Sequence, residues 1–343
     1  GMVAYLDAME EALERLRAHP ELQDKIEFEL TITCHRFDMS AHLARVATTL
    51  NPAQRGHLAA SLTHLTREVL ASFGTHLRSD LGSIAELGSR RQRLLGVPPK
   101  TPLEGLHAAR LLIDDCRERG TLPFARLARL AFIGKTLLVS ACEAGLVKAG
   151  EMEDFLRGLS TVAGHMEEDG KLLASGKLPR EDFLTRYGHL RPGTYDITAA
   201  SYAEDPTRLG SLATAAAKAP GSGISPASMQ VLNRASLGEL GIGAGELLSF
   251  IKLALEARED AKFEFTRNLS AALDLIRTSL EPWGIPREEA AFLEIQDLAI
   301  ERLAADPAGP AGLRALASAR ALQRAEESLL RVPPVIRGAG DLA

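Results

Sequence analysis

Cysteine is nearly absent from this chain. Cys34, Cys116 and Cys142 are the only three in 343 residues, and they form no CxxC or Cys/His cluster. A sparse, odd count excludes a disulfide scaffold and suits a reducing cytoplasm. Aromatic residues are also scarce, at 5%, while Ala, Leu, Arg and Glu abound. That mixture favours helices, because these residues lose little on entering one. No apolar run reaches the ~18 residues that a membrane span needs. The start, Gly1-Met2-Val3-Ala4-Tyr5-Leu6, has neither a basic n-region nor a signal-peptide core. Positive charge is not in excess either: 40 Lys+Arg face 45 Asp+Glu, a net charge of -5. This excludes bulk binding of nucleic acid and leaves a small anion, held by a few local Arg and Lys, as a possible ligand. Gly1 ahead of Met2 reads as a remnant of expression, and the chain as a piece of something longer.

What is present is helical periodicity. Residues 4–18 carry Leu6, Met9, Leu13 and Leu16 at helical spacing, and His19-Pro20 ends the run. Ile26-Glu27-Phe28-Glu29-Leu30-Thr31-Ile32 alternates with period two and predicts a strand. A strand needs a partner, and 194–198 is the candidate. Asn51-Pro52 signals an N-cap followed by Pro, opening a helix to about Phe73. Further helices are expected at 75–94, 103–118, 123–145, 149–173, 179–186 and around 226–240. Residues 245–281 read as one long helix of roughly 50 Å at about 1.5 Å per residue. Helices near 286–304 and 309–329 follow. The expected fold is mainly α, a multi-helix domain with at most that small strand pair. A helical first part covers 1–202 and a second covers 227–330. The Pro/Gly-rich stretch 203–226 between them reads as a linker or excursion. Residues 331–343 read as the start of a linker to another domain.

Several motifs have plain structural readings. Gly134-Lys135-Thr136 ends like a phosphate-binding loop, but Arg129 stands where the pattern needs glycine, so a helix interior is expected. Gly241-Ile242-Gly243-Ala244-Gly245-Glu246 precedes the long helix; Glu246 would repel an anion there, so a capping turn is expected. Glu27, Glu29 and Thr31 suggest a solvated strand face. His57 and His64 share a helix face with no acidic residue to complete a metal set. Arg258 and Lys262 lie four apart on the long helix, near Glu256, Glu259 and Glu264, and Arg267-Asn268 follows one turn on. They fit structural pairing or an anionic ligand.

The densest chemistry lies in 187–198, Tyr-Gly-His-Leu-Arg-Pro-Gly-Thr-Tyr-Asp-Ile-Thr. Gly188, Pro192 and Gly193 keep it out of a long helix. It carries His189, Arg191, Tyr195 and Asp196, which fit a structural turn and a ligand site equally. No nucleophile–base pair or metal set is visible, which argues against a self-sufficient hydrolase.

The run Phe183–Thr198 resembles a motif of phosphoenolpyruvate-synthase-like enzymes, relatives of pyruvate phosphate dikinase, rifampicin phosphotransferase and glutamine kinase. Rifampicin phosphotransferases carry a related Tyr-Gly-His-Arg-Gly-Pro-Gly-Glu stretch, where this chain has Leu190-Arg191-Pro192. Asp24–Leu30, Phe124–Phe132, Glu256–Arg267, Phe292–Leu298 and Pro333–Arg337 are similar to other segments of the same central region. The resemblance implies a central helical part set between an ATP-grasp domain and a swivelling phosphohistidine domain. In such enzymes ATP gives its β-phosphoryl group to a histidine, which passes it to an acceptor. ATP and Mg would then belong to the full-length enzyme, with no cofactor on this chain. Neither an ATP-grasp pattern nor a Gly-rich Thr-His motif is present, so His189 is not read as the phosphocarrier. The partners implied are the two missing domains and a small-molecule acceptor, in the cytoplasm, without nucleic acid or membrane. His189, Arg191, Tyr195, Asp196, Arg258 and Lys262 become the candidates for acceptor binding, and the chain alone is expected to be inactive. The competing reading is a stand-alone helical binding or scaffold protein.

Overall fold

The computed structural model describes residues 14–16, 18–19, 32–47, 50–193, 195–207, 223–305 and 308–330. Among these residues the fold is built of α-helices, with no strand. In chain order they are α1 (Met39–Val46), α2 (Pro52–Leu95), α3 (Pro102–Asp115), α4 (Thr121–Glu143), α5 (Ala149–Arg157) and α6 (Val162–Ala174). There follow α7 (Arg180–Tyr187), α8 (Pro226–Leu240), α9 (Ala244–Leu280), α10 (Arg287–Ala290), α11 (Ile300–Ala305) and α12 (Gly309–Glu327). No helix among the described residues is long and apolar enough to cross a membrane.

The strand expected at 26–32 lies almost wholly outside the described residues. Its proposed partner is not a strand: residues 195–198 form turns. Asp196 explains why. Its Oδ1 accepts from both the Thr198 amide (2.8 Å) and the Thr198 hydroxyl (2.7 Å), closing the backbone on itself instead of offering it to a neighbour. Of the linker at 203–226, residues 208–222 lie outside the described residues, as does most of the helix expected at 4–18.

Three other element boundaries differ from the sequence expectation. The two helices expected at 51–73 and 75–94 are one helix of 44 residues, about 66 Å long. Its start is as expected: Asn51 Oδ1 accepts from the Gln54 amide, and Gln54 returns the bond to the Asn51 amide. Gly74 does not break it, since one glycine costs only about 1 kcal/mol in a helix interior. The single helix expected at 149–173 is α5 and α6, because Thr161 caps Gly164 and the Ser160 amide donates to Glu256 Oε1 on α9 (2.6 Å). The helix expected at 286–304 is α10, a 3-10 turn at Ile295–Leu298 and α11. The wholly buried Asp297 carboxylate interrupts it by capping the Glu294 amide (2.8 Å) and pairing with Arg302 and Arg320.

Helix α9 is the axis of the fold. It packs against α2, α3 and α4, and its buried positions Leu247, Phe250, Ile251, Ala254, Ala257 and Ala261 follow the helical period. Its start is capped from within: Asn233 Oδ1 accepts from the Ala244 amide (2.9 Å) and Glu246 Oε2 from the Gly243 amide (3.1 Å). The glycine-rich turn there is a cap, not an anion cradle. The central core joins Phe73, Ile84, Leu127, Leu137 and Leu138 to Leu232, Leu247, Phe250 and Ile251, so residues on both sides of 203–226 share it. Phe73 and Phe250 meet edge to face at 4.7 Å.

Gly134 sits in mid-α4, where a Cβ would lie 3.3 Å from Ile251 Cα. Its role is to let α4 and α9 approach backbone to backbone, so the Gly-Lys-Thr sequence is a packing site. Between α3 and α4 the helix widens into a π-turn, Cys116–Gly120. There the Phe265 ring fills the space that a Gly120 side chain would take.

Candidate functional site

Residues 188–203 leave the end of α7 and return to its base. The neck is closed by two backbone bonds: the Tyr202 amide donates to the Leu190 carbonyl, and the Ala203 amide to the Gly188 carbonyl, both 2.9 Å. A small core lies beneath, built on Phe183 and Tyr187 with Leu190, Tyr202 and Phe263 packed around them. Tyr187 donates its hydroxyl to Asp169 (2.9 Å); burial, with that carboxylate beside it, pushes its pKa up to about 12. Ile197 pins the far side of the loop into the core formed by α3 and the C-terminal half of α9.

Arg191 is the principal anchor. Its side chain is 2% exposed and spans from the loop to α9. Nη1 donates to the Ala199 carbonyl (3.1 Å), and Nη2 to Ser270 Oγ (2.8 Å) and Asp274 Oδ1 (2.7 Å). Ser270 Oγ in turn donates to the His189 carbonyl (2.7 Å). Burial raises the Asp274 pKa, and the Arg191 guanidinium works against that rise. Arg191 therefore pairs with Asp274 on the helix, while Asp196 is held by Thr198. The contacts of α9 with the end of α7 and the loop come from Phe263, Arg267, Ser270 and Asp274, spaced as one helical stripe, Arg267 donating to the Arg186 carbonyl of α7.

His189 lies edge-on to Phe263, with ring centroids 4.7 Å apart. Burial first, then the charges of Arg267, Arg91 and Arg191, press its pKa down to about 3. The ring is neutral across the physiological range. The loop tip is different in character: Tyr195 is 62% exposed, and Pro192, Gly193 and Asp196 are exposed with it. The Thr198 hydrogen bonds lower the Asp196 pKa, so its carboxylate stays ionised at neutral pH.

The structure does not bring Arg258 and Lys262 to this loop. At about 100° per residue, Arg258 lies some 120° round α9 from Ser270. It pairs with Glu259 and sits 5.9 Å over the Phe132 ring of α4. Lys262 is exposed. The residues that do meet the loop's base include Ser270 and Asp274, which the sequence reading did not single out. Arg91 reaches from α2 to Asn268 Oδ1 (2.7 Å) and Glu264 (2.5 Å). The charges of Arg91, Arg191 and Arg267 all act on His189. The available signal was the spacing of Phe263, Arg267, Ser270 and Asp274 along one stripe of the helix.

A pH dependence follows from two histidines. His189 and His42 are both held neutral, His42 near pKa about 4 by burial and by Arg36 and Arg45. Both folded values lie below the unfolded value of about 6.5. Their contribution to stability is full above pH about 6.5 and is lost as pH falls toward 4 and then 3. The slope is up to about 1.4 kcal/mol per pH unit for each histidine. Urea unfolding at pH 7.5, 6.0 and 5.0 is expected to show midpoints falling below pH 6.5. A flat response would contradict buried, neutral histidines.

Among the described residues no group of His, Cys, Asp and Glu is placed to hold a metal ion. No family model, curated protein or solved structure matches the chain.

Proposed function

We propose that this chain is the central helical part of an ATP-dependent phosphotransferase of the phosphoenolpyruvate-synthase-like kind, and that residues 187–203 form its acceptor-side element. The observation that carries this reading is the contrast within the loop. Arg191 locks its base to α9, while Tyr195 and Asp196 stand exposed on the tip. Phosphoryl transfer is largely a matter of positioning and charge. An exposed tip on an anchored base suits an acceptor: the ionised Asp196 takes a hydrogen bond from a hydroxyl or amide, and the Tyr195 ring covers its apolar part. ATP and Mg act on the neighbouring domains, and the chain alone is inactive. A cytoplasmic setting goes with this reading, since Cys34 and Cys116 are unpaired and burial pushes their thiols up to about 11 and about 12.

The test is the coding sequence around this segment in its genome. An ATP-grasp region before it and a phosphohistidine region after it, in the same or adjoining reading frames, are expected. Absence of both would overturn the phosphotransferase reading in favour of a stand-alone helical binding protein.

A further inference from the structure

We infer that Ser160 and His165 form a nucleophile–base pair that takes an acyl group from a small carboxylic ester, with Asp260 of α9 as the carboxylate beside the base. The pair is made by the fold: Ser160 lies in the turn between α5 and α6, and His165 one turn into α6. The Ser160 hydroxyl and His165 Nε2 meet at 2.9 Å, within reach of proton transfer. Two bonds hold the serine in place. Its amide donates to Glu256 Oε1 on α9 (2.6 Å), and Thr161 caps the Gly164 amide, which fixes the start of the helix that carries His165. Ser160 and His165 are both exposed, so a small ester reaches them from solvent.

Helix α9 runs alongside. It meets Ser160 through Glu256, and its Phe263 packs in the same small core as Met166 of α6. Asp260 stands between those two contacts, one turn beyond Glu256 on the same face, as His165 stands between Ser160 and Met166. Burial first, then Glu256, raise the Asp260 pKa, and the charge of His165 works against that rise. The attraction is mutual, so the Asp260 carboxylate stabilises the imidazolium formed when His165 takes a proton. In the reaction, Ser160 Oγ attacks the ester carbonyl carbon while its proton passes to His165 Nε2. The bond from that carbon to the alcohol oxygen breaks, and the alcohol leaves with the proton. Water then attacks the acyl-serine, again through His165, releasing the free acid and restoring the hydroxyl. The positive end of α6, one residue on from Ser160, favours the oxyanion that forms on the way. This activity is separate from phosphoryl transfer and does not depend on the phosphotransferase reading.

The test uses the whole chain with p-nitrophenyl acetate, following release of p-nitrophenolate and mapping the acetyl group by mass spectrometry after an acid quench. Acetylation of Ser160 is expected, with turnover about tenfold or more above that of Ser160→Ala and of His165→Ala. Both substitutions fall at exposed positions and leave the amide bond to Glu256 in place. Asp260→Asn removes the charge beside the base and is expected to move the pH–rate profile to lower pH. Equal turnover by the chain and by Ser160→Ala or His165→Ala would overturn the inference, as would acetyl groups found only on lysine or on other serines. A profile unmoved in Asp260→Asn would overturn the part given to Asp260.

Discussion

Arg191→Ala is expected to destabilise the protein by about 3 kcal/mol. Breaking a buried ion pair by removing one partner costs about 3–5 kcal/mol. The lower end applies because Asp274, unlike Arg191, is 38% exposed in its side chain and can regain water. The Ala199 carbonyl and Ser270 lose their donor as well. Arg191→Lys should recover little, since a single ammonium cannot span carbonyl, hydroxyl and carboxylate as the guanidinium fork does. Urea unfolding measures both variants. A loss below about 1 kcal/mol for Arg191→Ala would mean that the pair behaves as a surface salt bridge, and that the loop is not anchored as described.

The second large effect belongs to the core below the loop. Phe183 is 0% exposed and packs between α6, α7 and α9, 4.9 Å from the Tyr187 ring. Truncation to alanine removes a whole buried ring and leaves a cavity, at a cost of about 3–5 kcal/mol. The effect should also show locally. The neck bonds from Tyr202 and Ala203 sit directly over this cluster, so their amides should exchange faster in Phe183→Ala. Unchanged protection of those two amides would separate the neck from the core beneath it.

The helical architecture was legible in the sequence because it rests on local signals. The Asn51-Pro52 cap and the period of α9 are short-range features, and each lies where expected. The misplaced boundaries have causes beyond the local chain. Two helices were expected, to about Phe73 and over 75–94, but one helix of 44 residues runs through Gly74. Residues 194–198 were the candidate partner for a strand at 26–32, but the Asp196 side chain folds residues 195–198 into turns. The splitting of 149–173 and 286–304 depends on Glu256 and on Arg320, each distant in sequence.

The loop was legible as a cluster of functional groups, but not as an anchored base with an exposed tip. Arg191 finds its partner 83 residues away, and Arg91 meets Asn268 across 177. No spacing rule encodes those pairings. Arg258 and Lys262 illustrate the converse. Their charge made them candidates, yet a helix turns residues so close in sequence to the loop's contacts toward a different side of the fold.

The most direct measurement is a thermal-shift screen of the chain with ATP, phosphoenolpyruvate, free amino acids and sugars. A ligand at about 100 times its Kd adds roughly 2.7 kcal/mol of stability. The tip is probed by Tyr195→Ala combined with Asp196→Asn, which alters only exposed side chains and keeps the acceptor for Thr198. The account predicts a shift with a hydroxyl-, amide- or carboxyl-bearing acceptor, no shift with ATP, and loss of the acceptor shift in the tip variant. A shift with ATP would contradict it, as would an acceptor response that survives in the variant or silence toward every acceptor tested.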